Sequence, residues 1–553
     1  MKKFGNVYFI AAIAIIGGGL FGFDISSMSA ISIKVLIPAS LAKVPMQTSK
    51  AASSLPWPAV PGSRPSALDS SRTGLGGRRP SCKARLPELS TSHCANTAYR
   101  IGAVIWVIGS IIVSASQNIP MLIVGRIING FCVGICSAQV PVYVSEIAPP
   151  SKRGRLVGMQ QWAITWGIMI MFYISYGCSF IDGAAAFRVP WALQMIPAII
   201  LFSGMMFLPE SPRWLAGKDR WDECKDVLIL THGRGDPDSP WVAREFQEIK
   251  EWLEIERQSK QVSYLTLFSP RYINRTHIGL FTQIWSQLTG MNVMMYYITY
   301  VFAMAGLSGN NLLVSSSIQY VINVVMTVPA LIWVDRVGRR PTLLLGSTLM
   351  SIWLWCNAGI LGGAGEYQPD GVETAQGHLK VAKILVKGSA SKAVIACSYL
   401  FVASFAPTWG PVSWIYPPEL YPNTLRGKAV ALSTSGNWAF NFALGYFVPP
   451  AFENITWKTY VIFAVFCTAM TIHVYFMFPE TAGKPLEEVN EMFEDPNGIK
   501  YIGVPAWKTK NYYSQTSRME HDQDLEKKLS SEMPVTRETA TARKIGGGAA
   551  AVA

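Results

Sequence analysis

Charged side chains are scarce in this sequence. They make up 15% of its 553 residues, and half of the chain is apolar. An ordinary soluble protein carries about 25% charge. The apolar residues also gather in blocks of about 20 with few or no charges, the length a helix needs to cross a bilayer. Paired-thiol motifs are missing: nine cysteines are present, with no Cys-x-x-Cys among them. Cys132 and Cys136 stand at i, i+4 in an apolar run and read as small packing residues. No glycine-rich nucleotide loop, metal-ligand cluster or nucleophile–base set can be found either. No enzyme, cofactor or metal site is therefore expected.

What the chain does have is membrane-spanning length, many times over. Eleven candidate spans can be marked: Val7–Ile33, Ile101–Ala115, Met121–Val144, Val157–Cys178, Pro190–Leu208, Ile278–Ala303, Leu312–Val334, Pro341–Leu361, Ala393–Tyr416, Ala429–Pro450 and Trp457–Phe478. An all-α multi-span membrane protein embedded in a lipid bilayer follows. The first run is long enough to stay as a span rather than serve as a cleaved signal. A net charge of +13 would suit nucleic acid, but its distribution does not. Ser151–Arg155, Asp335–Arg340 and Arg426–Lys428 lie between spans on one side, while the alternating loops Ser114–Asn118 and Gly306–Asn311 carry no Lys or Arg. That is the positive-inside pattern, and it places both termini in the cytoplasm. Asn454 opens an Asn-Ile-Thr sequon in an expected outer loop, open to glycosylation; the Asn274 sequon should face inward.

The chain also repeats itself. Glu146 is followed after six residues by Arg153-Gly154, and Glu419 after six residues by Arg426-Gly427; the two copies are 273 positions apart. Glu210 and Glu480, each just past the end of a span, are 270 apart. Two halves of about six spans in parallel orientation resemble the major facilitator architecture, with its substrate site between the halves. The expected organisation is an N-terminal half over residues 1–208, a charged linker with short amphipathic helices over 209–277, a C-terminal half over 278–478 and a polar tail over 479–553. A carboxylate and a guanidinium at each half's mouth can pair and hold the cytoplasmic side closed.

Polar residues inside spans are costly and point to function. Asp24 sits well inside the first span, and Arg126, also in an apolar run, is its best candidate partner. Beside Arg126 the carboxylate stays ionised; if the Arg withdraws, desolvation favours the protonated form, which is a basis for proton coupling. The bland reading is a static buried pair. Gln161, Gln287, Asn292 and Asn323, with Trp414, Asn437 and Trp438 in later spans, supply amides and aromatics. Neutral amides both donate to and accept from hydroxyls, and Trp covers the C–H face of a pyranose, so the set suits an uncharged monosaccharide. Singly, each amide could equally be interhelical glue.

The stretches GRIINGFCVG, PVYVSEIAPPSKRG, PESPRWL, QLTGMNVMMYY, DRVGRRP, GPVSWIYPPELYPNTLRGK and PETAGKPLEEV together resemble the sugar porter family of the major facilitator superfamily. The fungal high-affinity glucose transporters are the most similar branch. The resemblance covers about residues 6–33 and 101–492. It implies uptake of glucose or another hexose with a proton, by alternating access, at the plasma membrane. By motif position it implies that Asp24 and Arg126 form the proton-coupling pair. It implies further that Gln161, Gln287, Asn292, Asn323, Trp414, Asn437 and Trp438 contact sugar. Glu146, Arg153, Asp335, Arg339, Glu419 and Arg426 would make the cytoplasmic salt-bridge network. Ser286 stands where the family has Gln, which loses one sugar hydrogen bond or replaces it with a hydroxyl. Three alternatives stand beside symport. A non-transporting sugar sensor is disfavoured by the tail of about 75 residues after Phe478. An energy-independent uniporter is disfavoured by Asp24 with Arg126. The third is a non-functional product of a mispredicted gene.

That third alternative arises from residues 32–100. This stretch holds ten Lys plus Arg, two acids and eight Pro, and its longest uncharged run, Ala51–Ser63, has thirteen residues and three prolines. Such a run is too short and too broken to span. Yet the chain must cross the membrane once here if the termini and Ser151–Arg155 are both to be cytoplasmic. A local corruption, by frame error or unspliced intron, accounts for normal flanks around such a composition. Gly-Arg-Arg-Pro at Gly77–Pro80 then matches Gly338–Pro341 by letters only. Sequencing the transcript checks this: the message is expected to encode an apolar span in place of these residues, and a verbatim match would sink the idea.

Overall fold

The computed structural model describes residues 7–34, 95–148, 153–181, 183–231, 233, 235–258, 263–369, 371–374, 377–379, 383–484, 486–494, 499 and 503–511. Most of the anomalous stretch, including the place of a second span, lies outside the described residues.

Helices dominate. In the first half α1 (Val7–Ala14) and α2 (Ile16–Lys34) form one span. Next come α3 (Ala95–Ser114), α4 (Ile119–Ile147), α5 (Arg153–Cys178) and the pair α6 (Ala185–Leu193) and α7 (Met195–Phe207). Three shorter helices follow: α8 (Pro212–Gly217), α9 (Trp221–Thr231) and α10 (Pro240–Gln258). The second half opens with a broken span, α11 (Ile273–Leu288), α12 (Met291–Tyr296) and α13 (Ile298–Met304). It continues through α14 (Gly309–Val337), α15 (Arg339–Ala364), α16 (Ser389–Phe405), α17 (Trp409–Glu419), α18 (Asn423–Asn454) and α19 (Lys458–Met477), and α20 (Leu486–Glu494) follows. Between α15 and α16, β1 (Glu366–Tyr367) pairs antiparallel with β4 (Ile384–Leu385), and β2 (Val372–Thr374) with β3 (Gly377–Leu379).

Among the described residues, eight helical segments are long and apolar enough to cross a membrane. The expected spans Val157–Cys178, Ile278–Ala303 and Ala429–Pro450 are helical too, but stand outside that set. They are the segments that carry Gln160, Gln161, Gln283, Gln287, Asn292, Asn437 and Asn441. The middle one also breaks at Thr289-Gly290, where Gly290 takes φ +82°. Low hydropathy here marks spans that face protein rather than lipid.

One contiguous core runs through both halves, from Ile10 and Trp106 to Phe401 and Met470. Helices α8–α10 make a separate small core of Leu215, Cys224, Val227, Leu228, Val242, Ile249 and Leu253. In the first half α2 crosses α5 at backbone contact. A Cβ on Gly22 would collide with the Ile164 carbonyl, and one on Gly167 with the Gly19 carbonyl. Small residues let membrane helices approach this closely, and the crossing aims the next residues of α2 at the interior. Gly167→Leu is accordingly expected to lower stability by roughly 1–3 kcal/mol, read as a drop in the thermal midpoint of the purified protein. Gly177→Ala, with open space around it, is the silent control.

Candidate functional site

The two in-membrane charges meet. Arg126 of α4 donates to the carboxylate of Asp24 on α2, with Arg126 fully buried and Asp24 6% exposed. The guanidinium also lies over the Trp191 ring, 5.7 Å from its centroid. A desolvated pair of this kind holds only while both charges are present.

Most of the expected amides converge in the second half. Gln287, in the last turn of α11, donates to Asn437 Oδ1 at 2.6 Å, and its own Oε1 accepts from Asn292 at 2.5 Å and Asn441 at 3.0 Å. Asn441, one turn beyond Asn437 on α18, was not among the sequence candidates; its i, i+4 spacing is the signal that could have found it. Gln283, one turn before Gln287, donates to the Ser413 carbonyl of α17 at 2.8 Å and was also missed. Gln161, Asn323 and Trp414 are buried on inward faces but stand outside this hydrogen-bonded cluster. Gln161 packs across the halves: a Cβ on Gly410 of α17 would come 3.3 Å from its Nε2. Trp438 does the same from the other side. Its indole N–H donates to Ser137 of α4 at 3.4 Å, and its ring meets Phe21 of α2 edge-on at 4.9 Å. Amides that satisfy one another can exchange those bonds for sugar hydroxyls at little net cost.

At the basic end the repeat is structural. Tyr143 donates to the Pro209 carbonyl at 2.7 Å, and Tyr416 to the Pro479 carbonyl at 2.7 Å. Ser211 donates to Glu146, and Thr481 donates to Glu419 at 2.6 Å. Among the described residues, three of the six expected network members join in ion pairs. Glu419 takes Arg339 in a two-pronged contact at 2.8 and 3.1 Å, and Arg339 also reaches Asp335 at 3.1 Å. Arg426 stands on the first turn of α18, past the turn at Leu420–Pro422. The Arg153 side chain lies outside the described residues. Glu480 accepts the backbone N–H groups of Arg339 and Arg340 at 2.8 and 3.1 Å, a carboxylate at the N-terminus of α15. Its counterpart Glu210 has a buried Oε2 with no hydrogen-bond partner among the described residues. Arg271 and Arg275 both bond Glu494 of α20, and the Arg271 hydrogen bond holds that carboxyl below the usual range.

Two cross-half contacts close this end. The Asp335 carboxylate lies against Gly154 in the first turn of α5, where a Cβ would strike it, and helix N-termini favour anions. Arg155 donates to the Leu331 carbonyl at 3.2 Å. At the other end of the same two helices Tyr176 donates to Asn310 at 2.6 Å, with the Phe172 and Tyr320 rings in tilted contact between, centroids 4.7 Å apart. Helices α5 and α14 therefore touch along their whole length.

The family described as Sugar (and other) transporter matches this chain over residues 95–493. The chain belongs to the sugar transporter family. The family match begins at residue 95, within the last few residues of the anomalous 32–100 stretch. This sugar transporter is 46% identical to a high-affinity glucose transporter of Kluyveromyces lactis over 93% of its own length and 89% of the relative's. It is 43% identical to the MFS glucose transporter mfs1 of Aspergillus flavus, covering 96% of the chain and 95% of the relative. Its fold matches the proton:xylose symporter XylE with a TM-score of 0.66 at 23% identity, over 87% of this chain and 98% of that one. The transporter is thus a multi-pass membrane protein with the major facilitator fold. Arg339→Leu, which strands Glu419, is expected to cost about 3 kcal/mol in thermal unfolding. Arg339→Leu with Glu419→Leu together should recover part of that loss.

Proposed function

We propose that this transporter carries glucose or a closely similar hexose inward with a proton, at the plasma membrane, by alternating access. The N-terminal half, residues 1–208, would move against the C-terminal half, 278–478, with 209–277 as a cytoplasmic linker and 479–553 as a cytoplasmic tail. The basic end of the bundle is then the cytoplasmic end, in keeping with the positive-inside pattern. The separate core of α8–α10 suits a linker that need not follow either half. The observation that carries the reading is the buried Asp24–Arg126 pair beside a neutral amide cluster. Two glucose transporters among the relatives support the substrate.

The sequence of events follows from charge. Ionised Asp24 is tied to Arg126. A proton delivered to Asp24 removes the attraction and frees α2, which crosses α5 at its glycines and meets Trp438 through Phe21. Sugar exchanges hydroxyls for the amide bonds of Gln287, Asn292 and Asn437, with Gln161, Asn323, Trp414 and Trp438 closing around it. The halves then rock, and the contacts of Asp335 with the start of α5, together with the network of Glu146, Arg153, Arg339, Glu419 and Arg426, break and reform at the cytoplasmic mouth.

Labelled glucose uptake in transporter-null cells, for this chain and for one with a restored second span, tests the whole. Uptake is expected to rise with an inward proton gradient. Asp24→Asn should abolish gradient-driven accumulation while sparing exchange of labelled for unlabelled sugar. Equal uptake with and without the gradient would exclude symport.

A further inference from the structure

Gln287 is poorly held by its own helix. It lies in the last turn of α11, and the helix breaks two residues later at Thr289-Gly290. The last turn of a helix has no further turn to brace it, so lateral contacts decide where Gln287 points. On the cavity side Gln283 is tied to the Ser413 carbonyl of α17. On the far side the tie is Trp285, whose indole N–H donates to His473 Nδ1 on α19 at 2.8 Å. Two residues along a helix turn it about 200°, so Trp285 faces away from the sugar amides while Gln287 faces them. The His473 ring has little freedom. It is walled by His277 at 4.9 Å, Phe281 at 5.3 Å, Trp285 at 6.0 Å and Phe478 at 5.3 Å between centroids. His277, Phe281 and Trp285 recur at i, i+4 and i+8, so one whole face of α11 is clamped on this imidazole.

We infer that His473 is a positioning residue for sugar recognition: through Trp285 it sets the rotation of α11 and so aims Gln287 into the amide cluster. The inference rests on the sugar-site reading above. His473 touches no sugar ligand in this scheme, and its effect appears in affinity rather than in turnover.

The test uses the full chain, purified and in transporter-null cells, with a panel of labelled glucose, galactose, fructose and xylose. His473→Leu removes the acceptor. It is expected to raise KM and Kd for the transported sugar about fivefold, the worth of one net hydrogen bond, with kcat within twofold. His473→Asn keeps an oxygen near the Nδ1 position and should restore KM to near the starting value. Trp285→Phe should match His473→Leu, and the double variant should be no worse than either. A readout that needs no sugar runs alongside: hydrogen–deuterium exchange of residues 283–292 should quicken in His473→Leu and not in His473→Asn. Unchanged exchange and KM in His473→Leu would overturn the proposal, as would a His473→Asn variant as impaired as His473→Leu. A starting chain that binds none of the four sugars, yet shows the exchange pattern, would overturn the sugar reading and leave the Trp285–His473 clamp standing.

Discussion

A bilayer core offers no hydrogen-bond partners, so each polar group carried through it must be matched from within the chain. That constraint arranges the interior of this transporter. Asp24 and Arg126 neutralise one another. Gln287, Asn292, Asn437 and Asn441 use each other as donors and acceptors. Trp438 spends its indole N–H on Ser137 of the opposite half, and Trp285 spends its own on His473. The spans least apolar in sequence are the ones turned inward, because only protein can satisfy them.

The same economy makes the interior switchable. An amide that bonds a neighbouring amide gives up little when a sugar hydroxyl takes its place, and a buried ion pair loses its attraction when one member is neutralised. Neither change needs a large local energy, but each acts on elements that join the halves. Phe21 stands three residues before Asp24 and touches Trp438, which adjoins Asn437 in the amide cluster. The closed end is built with equal thrift: a single carboxylate, Asp335, both receives Arg339 within its own half and rests on the first turn of α5 in the other.

Much of this was legible in the sequence. Eleven runs of spanning length, the doubled Glu-x6-Arg-Gly pattern and the Asp24–Arg126 candidates reappear as helices, matched hydrogen bonds at Glu146 and Glu419, and a buried pair. Other features were not. Glu419 takes its two-pronged contact from Arg339, which arrives from another helix, a choice of partner that the shared Glu-x6-Arg-Gly motif does not announce. Asn441 and Gln283 were passed over although each stands one helical turn from a chosen amide, because spacing alone does not say which face of a helix turns inward. The site also divided in a way that motif position did not foresee, with Gln161, Asn323 and Trp414 buried nearby but outside the bonded cluster.

The sequence by itself determined which segments are helices and that they come in two related sets, because span length and repeat spacing are local quantities. Only the tertiary structure decided that Gln287 meets Asn437 150 residues away, that Gly154 receives Asp335, and that His473 stands behind Trp285. Such meetings depend on how helices cross and rotate, which side-chain volumes across the whole bundle settle together. No periodicity along one helix records that.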